Sequence, residues 1–516
     1  MNEHKCRCCP SPQPSVSESA FQLNRRSFIA GAAAAGSAIL GGLSFSAIAD
    51  ATATDSVPLP KPRVPLLVKP ILVHDIPVRQ EGTSWRGWGG VDSPEIAQQE
   101  VANIAKELEG IKTSADFPVE FLEVITVNNI DQVRDHPDVV KADLLLVYGA
   151  GGGTYGLKDI EKDIIIFQRW KTGPTYLQYE IVSPILLRQF TDTQKTPHIL
   201  PEDVVTDSLE ELTWRLRSLC GLKNTRNTKI ITIGGAGAWF QPAGVVPSLV
   251  EKIWGYQYHD ISYDELGKLI EAALANDKAV ALAKKRAEDY LKIQNTTLET
   301  KMEFLEKCFL LDQVFRALMQ EADCRNITIH GCMGTIMQVS KTAACMTLST
   351  LNDDGYLAFC ESDFVVIPSG VLLANICGKP VFLNDPTFPH DQIITLAHCT
   401  GPRKMDGKNY EPTRIVTHFE SDYGAAPKVA FRNGTVCTNI VPDFKSERWV
   451  GLLGEVIDAP FRPICRTQID IRYDVPSSLV AERMPGFHWM FSYGDYMKEL
   501  GYALRRVGIQ WDTLGK

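Results

Sequence analysis

Between Pro70 and Ile233, apolar strand-like runs alternate with helix-patterned stretches and glycine-bearing turns. No other feature constrains the fold as much. Strands are expected at Pro70–Val78, Pro118–Val127, Ala142–Tyr148, Ile164–Gln168, Tyr179–Val182 and Lys229–Ile233. Ser93-Pro94-Glu95 starts a helix, with Ser93 as N-cap and Pro94 in the first turn. Asp207–Leu219 reads as another, capped by Asp207 or Ser208. Parallel strands need a crossover between them, usually a helix, so this rhythm predicts doubly wound parallel sheets.

The middle of the chain is helical. Ser262 to Glu265 forms a capping box, and the helical pattern runs from Lys278 to Ala322. A strand at Ile327–His330 follows, then a helix at Lys341–Leu351 stopped by Asn352-Asp353-Asp354-Gly355. After Thr413 the texture changes to short strands broken by turns: Arg414–Phe419, Lys428–Phe431, Thr435–Val441, Trp449–Val456 and Arg466–Ile471. That spacing suggests a small antiparallel barrel or sandwich before a last helix at about 495–507. A chain of 516 residues is too long for one core. The expected fold is α/β: two doubly wound parallel-sheet domains, at 70–226 and 227–358, followed by a domain at 359–516 containing a small antiparallel β-barrel.

The net charge of −9 argues against nucleic acid as a main partner, because no basic excess exists to neutralise phosphates. The N-terminus carries Asn24-Arg25-Arg26-Ser27-Phe28-Ile29 and then an uncharged Ala/Gly-rich run to Ala49. This is a twin-arginine export pattern over 1–49, with Ala47-Ile48-Ala49 as a cleavage site and 50–69 as a linker. The expected destination is the periplasm or beyond, with no stable membrane insertion after cleavage; an uncut membrane anchor is the alternative. Cys6, Cys8 and Cys9 precede the twin arginines, and the other cysteines lack C-x-x-C spacing, so buried thiols are expected.

Two glycine clusters, Gly149–Gly153 and Gly234–Gly237, follow strands. Neither continues into the uninterrupted helix that a dinucleotide fold requires, so both read as turns that let backbone approach a neighbour. Chemistry concentrates at 360–400. Glu361, Asp385 and His398 each adjoin a run that reads as a buried strand: Tyr356–Cys360, Pro380–Leu383 and Ile393–Ala397. Two carboxylates and an imidazole converging in a cleft bind a divalent cation such as Mn²⁺. Read alone, these are also three side chains that could serve unrelated surface or capping roles. Arg86 and Trp88, in a loop after the first strand, suit stacking on and hydrogen-bonding a sugar, or simply packing the loop. His488, between Phe487 and Trp489, reads on its own as a core or stacking histidine.

The ordered set Asn352-Asp353-Asp354-Gly355-Tyr356, Cys360-Glu361-Ser362-Asp363, Asn384-Asp385-Pro386 and Leu396-Ala397-His398-Cys399-Thr400 resembles the L-fucose/L-arabinose isomerase superfamily. His418-Phe419-Glu420, Pro460-Phe461-Arg462-Pro463 and Pro485-Gly486-Phe487-His488 continue the likeness, which is nearest to the L-fucose isomerase-like group. The resemblance covers about 340–515 well and the earlier chain by layout. It implies a Mn²⁺ site, or that of another divalent cation, built from Glu361, Asp385 and His488. L-Arabinose isomerases use an additional histidine, which matches His398; here His398 is assigned to substrate binding. The resemblance also implies a homo-oligomer with its active site at a subunit boundary, where Arg86 and Trp88 reach a neighbour's sugar.

The implied activity is metal-dependent aldose–ketose isomerisation of a pentose or deoxyhexose-like sugar through an ene-diol. Glu361 and Asp385 are the proton-transfer pair, with the division of labour between them open. Two other functions remain open: an exported carbohydrate-binding protein of the same fold without turnover, and a nicotinamide-dependent oxidoreductase using the glycine clusters.

Overall fold

The computed structural model of the chain describes residues 39–40, 43–52, 56–177 and 199–515. The twin-arginine motif, Cys6, Cys8, Cys9 and the strand expected at Tyr179–Val182 lie outside the described residues. The chain divides into two compact units: residues 63–223, and residues 224–516 together with 1–62.

In the 63–223 unit one all-parallel sheet runs in the order Val119–Phe121, Leu66–Val73, Leu144–Gly149, Asp163–Gln168, Val204–Thr206. The short strand Ile125–Val127 also pairs with Leu66–Val73. Every residue of the central strand Leu144–Gly149 is buried, as expected for a parallel strand covered on both faces. Helix Pro94–Ser114 starts as the sequence predicts, with the Ser93 hydroxyl accepting from the Ile96 N–H. Ser208, not Asp207, caps helix Leu209–Thr225, accepting from the Glu211 N–H.

Several expected bounds move: the first strand ends at Val73 rather than Val78, and the helix expected at Lys341–Leu351 runs Cys345–Asp353. The first strand begins at Leu66 rather than Pro70, inside the expected linker. Its polar Lys69 is wholly buried and satisfied by the Glu123 carbonyl at 2.7 Å and Asp138 at 3.0 Å. The strand expected over 118–127 is broken in two at Leu122–Val124.

The larger unit begins with the parallel sheet Gln257–Ile261, Lys229–Ile233, Asn326–Ile329, Leu357–Phe359. Its second element is a six-stranded antiparallel barrel, Val436–Pro442, Trp489–Tyr493, Phe382–Pro386, Ile393–His398, Thr467–Arg472 and Arg448–Asp458. The last of these closes onto the first, and Gln510–Leu514 adds parallel to it outside the ring. The α/β architecture with two parallel sheets and a small antiparallel barrel is the one the sequence predicts.

The barrel's membership differs from expectation. Thr413–Val416 and Ala426–Val429 belong to a separate three-stranded sheet with Thr296–Leu298, a strand hidden within the stretch read as continuous helix. Their places in the barrel are taken by the strands carrying Asp385 and His398 and by the strand that follows His488.

The apolar stretch after Asp363 is helix Ile367–Cys377, with all eleven residues buried. A helix apolar on every side is one covered on every side. Full burial of each large aliphatic side chain is worth about 1.5–3 kcal/mol as an upper figure. Trp254, at the end of helix Val245–Trp254, stacks on the barrel's Trp449 with ring centroids 5.6 Å apart. Helix Phe45–Thr52 contains the Ala47-Ile48-Ala49 triplet and buries Ile48 in the same core as the parallel sheet.

Candidate metal centre

In the parallel sheet of the larger unit, the strand Lys229–Ile233 has its sequence successor Gln257–Ile261 on one side and Asn326–Ile329 on the other. The crossovers reverse direction there, and the carboxyl ends of such strands form a crevice. Three loops leave that edge: Gly234–Trp239, His330–Met333 and Cys360–Asp363.

The Cys360–Asp363 loop turns sharply. Glu361 and Ser362 both take left-handed backbone, with φ of 67° and 48°. Such conformations cost a non-glycine residue roughly 1–2 kcal/mol each and persist where surrounding structure holds them. Here the second glycine cluster does the holding. The Ser362 hydroxyl donates to the Gly235 carbonyl at 2.9 Å, and the Gly237 N–H donates to the Ser362 carbonyl at 3.2 Å. The Phe364 N–H donates to the Gly237 carbonyl at 3.0 Å. Trp239 then donates its indole N–H to Glu361 Oε2 at 2.8 Å. A Cβ on Gly237 would lie 2.7 Å from His330 Nδ1, so only glycine allows this approach. The glycine cluster is thus a bracket for the carboxylate loop. The first cluster serves close packing as well: a Cβ on Gly152 would lie 2.3 Å from the Asn128 carbonyl oxygen.

The barrel rim supplies the other groups. Asp385 lies in Phe382–Pro386 opposite Ala397, the residue before His398. Asn384 pairs with Trp489, so the next residues along the two strands, Asp385 and His488, arrive together at the end of that ladder. Sequence neighbours with no common motif are thereby gathered. His488 Nε2 lies 3.3 Å from Asp385 Oδ1 and 3.4 Å from Glu361 Oε2. His398 Nε2 lies 3.6 Å from Glu361 Oε1. Ligand atoms of Asp385, His398 and His488 fall within 4.8 Å of one another, as do those of Cys360, Glu361 and His398.

The imidazoles are aimed from behind. Asp363 Oδ2 lies 2.7 Å from His488 Nδ1, and the Thr400 hydroxyl lies 3.1 Å from His398 Nδ1. Among the described residues neither Nε2 makes a well-aligned hydrogen bond, although both are buried and face carboxylate oxygens. Asp385, His398 and His488 are spaced to share a divalent cation, and Glu361 approaches both imidazoles. Ligand atoms about 2.1 Å from one ion stand roughly 3–4 Å apart.

Burial works against charge on Glu361, His398 and His488, and the attraction of their neighbours outweighs it. The two imidazoles hold the Glu361 carboxyl well below the usual carboxylate range. Asp363, Asp385 and Glu361 hold His488 well above the ordinary histidine range, and Glu361 with Asp385 raises His398. The site therefore gathers negative oxygens around imidazoles that a cation would have to deprotonate on entry.

Glu361, Asp385 and His398 line a cavity of about 420 Å³, and Phe419, Ile464 and Phe487 give it an apolar wall. Phe487 stacks on Trp239 with ring centroids 4.3 Å apart. Of the residues singled out in the sequence, Glu361, Asp385, His398 and His488 come together here. Arg86 and Trp88 belong to the 63–223 unit and are not among the residues lining this cavity. There Trp88, 66% exposed, lines a separate cavity of about 290 Å³ with Asp75, Asp92 and Gly151. Sequence reading overlooked Asp363 and Trp239. Asp363 was visible only as the last residue of Cys-Glu-Ser-Asp, and Trp239 only as a residue just after the second glycine cluster.

Comparison with models of known protein families gives no match, and comparison with curated proteins gives none either. Among the described residues, no helix is long and apolar enough to cross a membrane.

Proposed function

We propose that the protein is a metal-dependent aldose–ketose isomerase acting on a pentose or deoxyhexose-like sugar, with Mn²⁺ or another divalent cation held by Glu361, Asp385 and His488. The observation that carries this reading is the meeting of those three side chains, from a parallel-sheet loop and two barrel strands, at 3.3–3.4 Å around His488 Nε2. The resemblance to the L-fucose isomerase-like group leads to the same reading.

A cation bound there supplies Lewis-acid polarisation of the sugar carbonyl and a template for two adjacent oxygens. The chain's own groups do the rest. Asp363 keeps His488 turned so that Nε2 faces Glu361 and Asp385. Glu361 stays ionised, and its Oε2 is engaged by the Trp239 indole. The Asp385 side chain is 37% exposed, so its oxygens are the better placed to touch a sugar carbon. Asp385 takes the proton from the carbon beside the carbonyl and returns it to the carbonyl carbon, while the hydroxyl proton passes from one sugar oxygen to the other, through the ene-diol. Transfer of this kind is worth about 10²–10⁴-fold in rate. His398 Nε2, 3.6 Å from Glu361 Oε1, hydrogen-bonds a sugar hydroxyl. The ring faces of Phe487 and Phe419 cover the sugar's apolar side. In an oligomer, Arg86 and Trp88 of a neighbouring copy complete the sugar site.

The test is an isomerisation screen of pentoses and deoxyhexoses with metal-loaded protein, using Glu361→Gln as the blank. Ketose formation by the wild type that the substitution abolishes supports the reading. Sugar binding with no conversion of any substrate replaces it with carbohydrate binding alone.

A further inference from the structure

A second cavity of the larger unit, about 240 Å³, shares no lining residue with the one at Glu361. Helices Asp277–Leu291 and Cys345–Asp353 both end at it, contributing Tyr290 and Asp353 from their last turns. The carboxyl end of a helix carries partial negative charge, which favours a cation. The wall adds three carboxylates, Asp289, Asp353 and Asp354, against one guanidinium, Arg286, which is bound to Asp312.

Two of those carboxylates already have counter-charges. Asp354 Oδ2 accepts from Arg316 at 2.7 Å, with Lys404 Nζ 3.5 Å from its other oxygen, and Asp289 Oδ1 accepts from Lys292 at 2.7 Å. Asp353 differs. It is 8% exposed, and its Oδ1 takes the Arg403 and Lys404 backbone N–H groups, both at 2.7 Å. Its Oδ2 and the buried hydroxyl of Tyr290 have no hydrogen-bond partner among the described residues. Buried polar atoms are nearly always satisfied, by protein, water or ligand. An acceptor left open where negative charge is in excess is best matched by a charged donor.

We propose that this cavity binds a small primary amine, whose ammonium group donates to Asp353 Oδ2 and the Tyr290 hydroxyl while its carbon chain lies against Ile293, Phe309 and Tyr410. The amine brings the counter-charge that Asp353 lacks, so a carboxylate that weakens the empty fold stabilises the occupied one. This site is independent of the metal reading.

The experiment titrates full-length protein with n-butylamine by isothermal calorimetry, with 1-butanol and butyrate as neutral and anionic molecules of similar shape. Only the amine should bind. Asp353→Asn should abolish that binding while raising the Tm of the unliganded protein. The charged and titratable neighbours of Asp353 are Asp354, Arg403, Lys404 and Tyr290, and burial pushes its carboxyl up to about 7 among them. Wild-type affinity for the amine should therefore rise about tenfold from pH 6 to pH 8. The butanol comparison and this pH profile decide the matter alone should the variant not fold. No binding of butylamine, equal binding of butanol, an affinity flat with pH, or an affinity unchanged in Asp353→Asn overturns the proposal.

Discussion

Asp363 sets the direction of His488. Its carboxylate oxygen lies 2.7 Å from Nδ1, which leaves Nε2 turned toward Glu361 and Asp385. A carboxylate behind a metal-binding imidazole fixes the ring's tautomer and raises its basicity. Asp363 itself is held by the turn that exposes Glu361, and it accepts the Trp239 backbone N–H through its other oxygen at 3.4 Å. One four-residue loop thus carries both Glu361 and the group that aims His488.

Replacing Asp363 by Asn keeps the shape and removes the charge. Divalent-cation affinity should fall by about 10–100-fold, the usual cost of losing such a partner. Calorimetric titration of metal-stripped protein measures this. Unchanged affinity would mean that Asp363 merely packs the loop.

Gly237→Ala tests the bracket. The added methyl would meet His330 Nδ1 at 2.7 Å, so either the ring or the Gly234–Trp239 loop must move. We expect destabilisation of about 1–3 kcal/mol, typical of overpacking a tight site, together with weaker metal binding. Urea unfolding followed by tryptophan fluorescence reads the first effect. A variant as stable as the wild type would show that the close approach is not required.

Asp353 gives the clearest pH dependence. Burial pushes its carboxyl up from 3.8 to about 7, against hydrogen bonds from the Lys404 and Arg403 N–H groups, both 2.7 Å from Oδ1. The folded-state value lies above the unfolded one, so the stabilisation is full below about pH 4 and is lost as pH rises to about 7. Asp353→Asn keeps an acceptor for both N–H groups and removes the titration. Relative to wild type it should gain stability between pH 4 and pH 8, by on the order of 2–4 kcal/mol at most. Tm measured across that range checks the sign. A deficit that grows with pH would contradict it.

The legible parts of the fold were those written in local patterning. The strand–helix rhythm foretold both parallel sheets, and the capping boxes foretold helix starts such as Ser262, whose hydroxyl accepts from Glu265 while Glu265 returns the bond. The barrel's membership was not legible. Nothing local says that Phe382–Pro386 pairs with Trp489–Tyr493 across a hundred residues, rather than with the nearer Thr413–Val416. Glu361 and Asp385 stood out because charged residues beside buried strands need a reason. His488 required the family likeness, since its aromatic neighbours made it look like core; it is indeed fully buried, with its edge on Trp239. Asp363 could not be found by spacing, because its role depends on a left-handed turn at two non-glycine residues.

The central claim is that Glu361, Asp385 and His488 hold one divalent cation between them, and native mass spectrometry of metal-stripped, Mn²⁺-titrated protein tests it most directly. The account predicts one ion per chain for the wild type and none at the same concentration for Glu361→Gln, Asp385→Asn and His488→Ala, each retaining a folded-state circular dichroism spectrum. Equal occupancy in wild type and variants, or a wild type that takes up no ion, would contradict it.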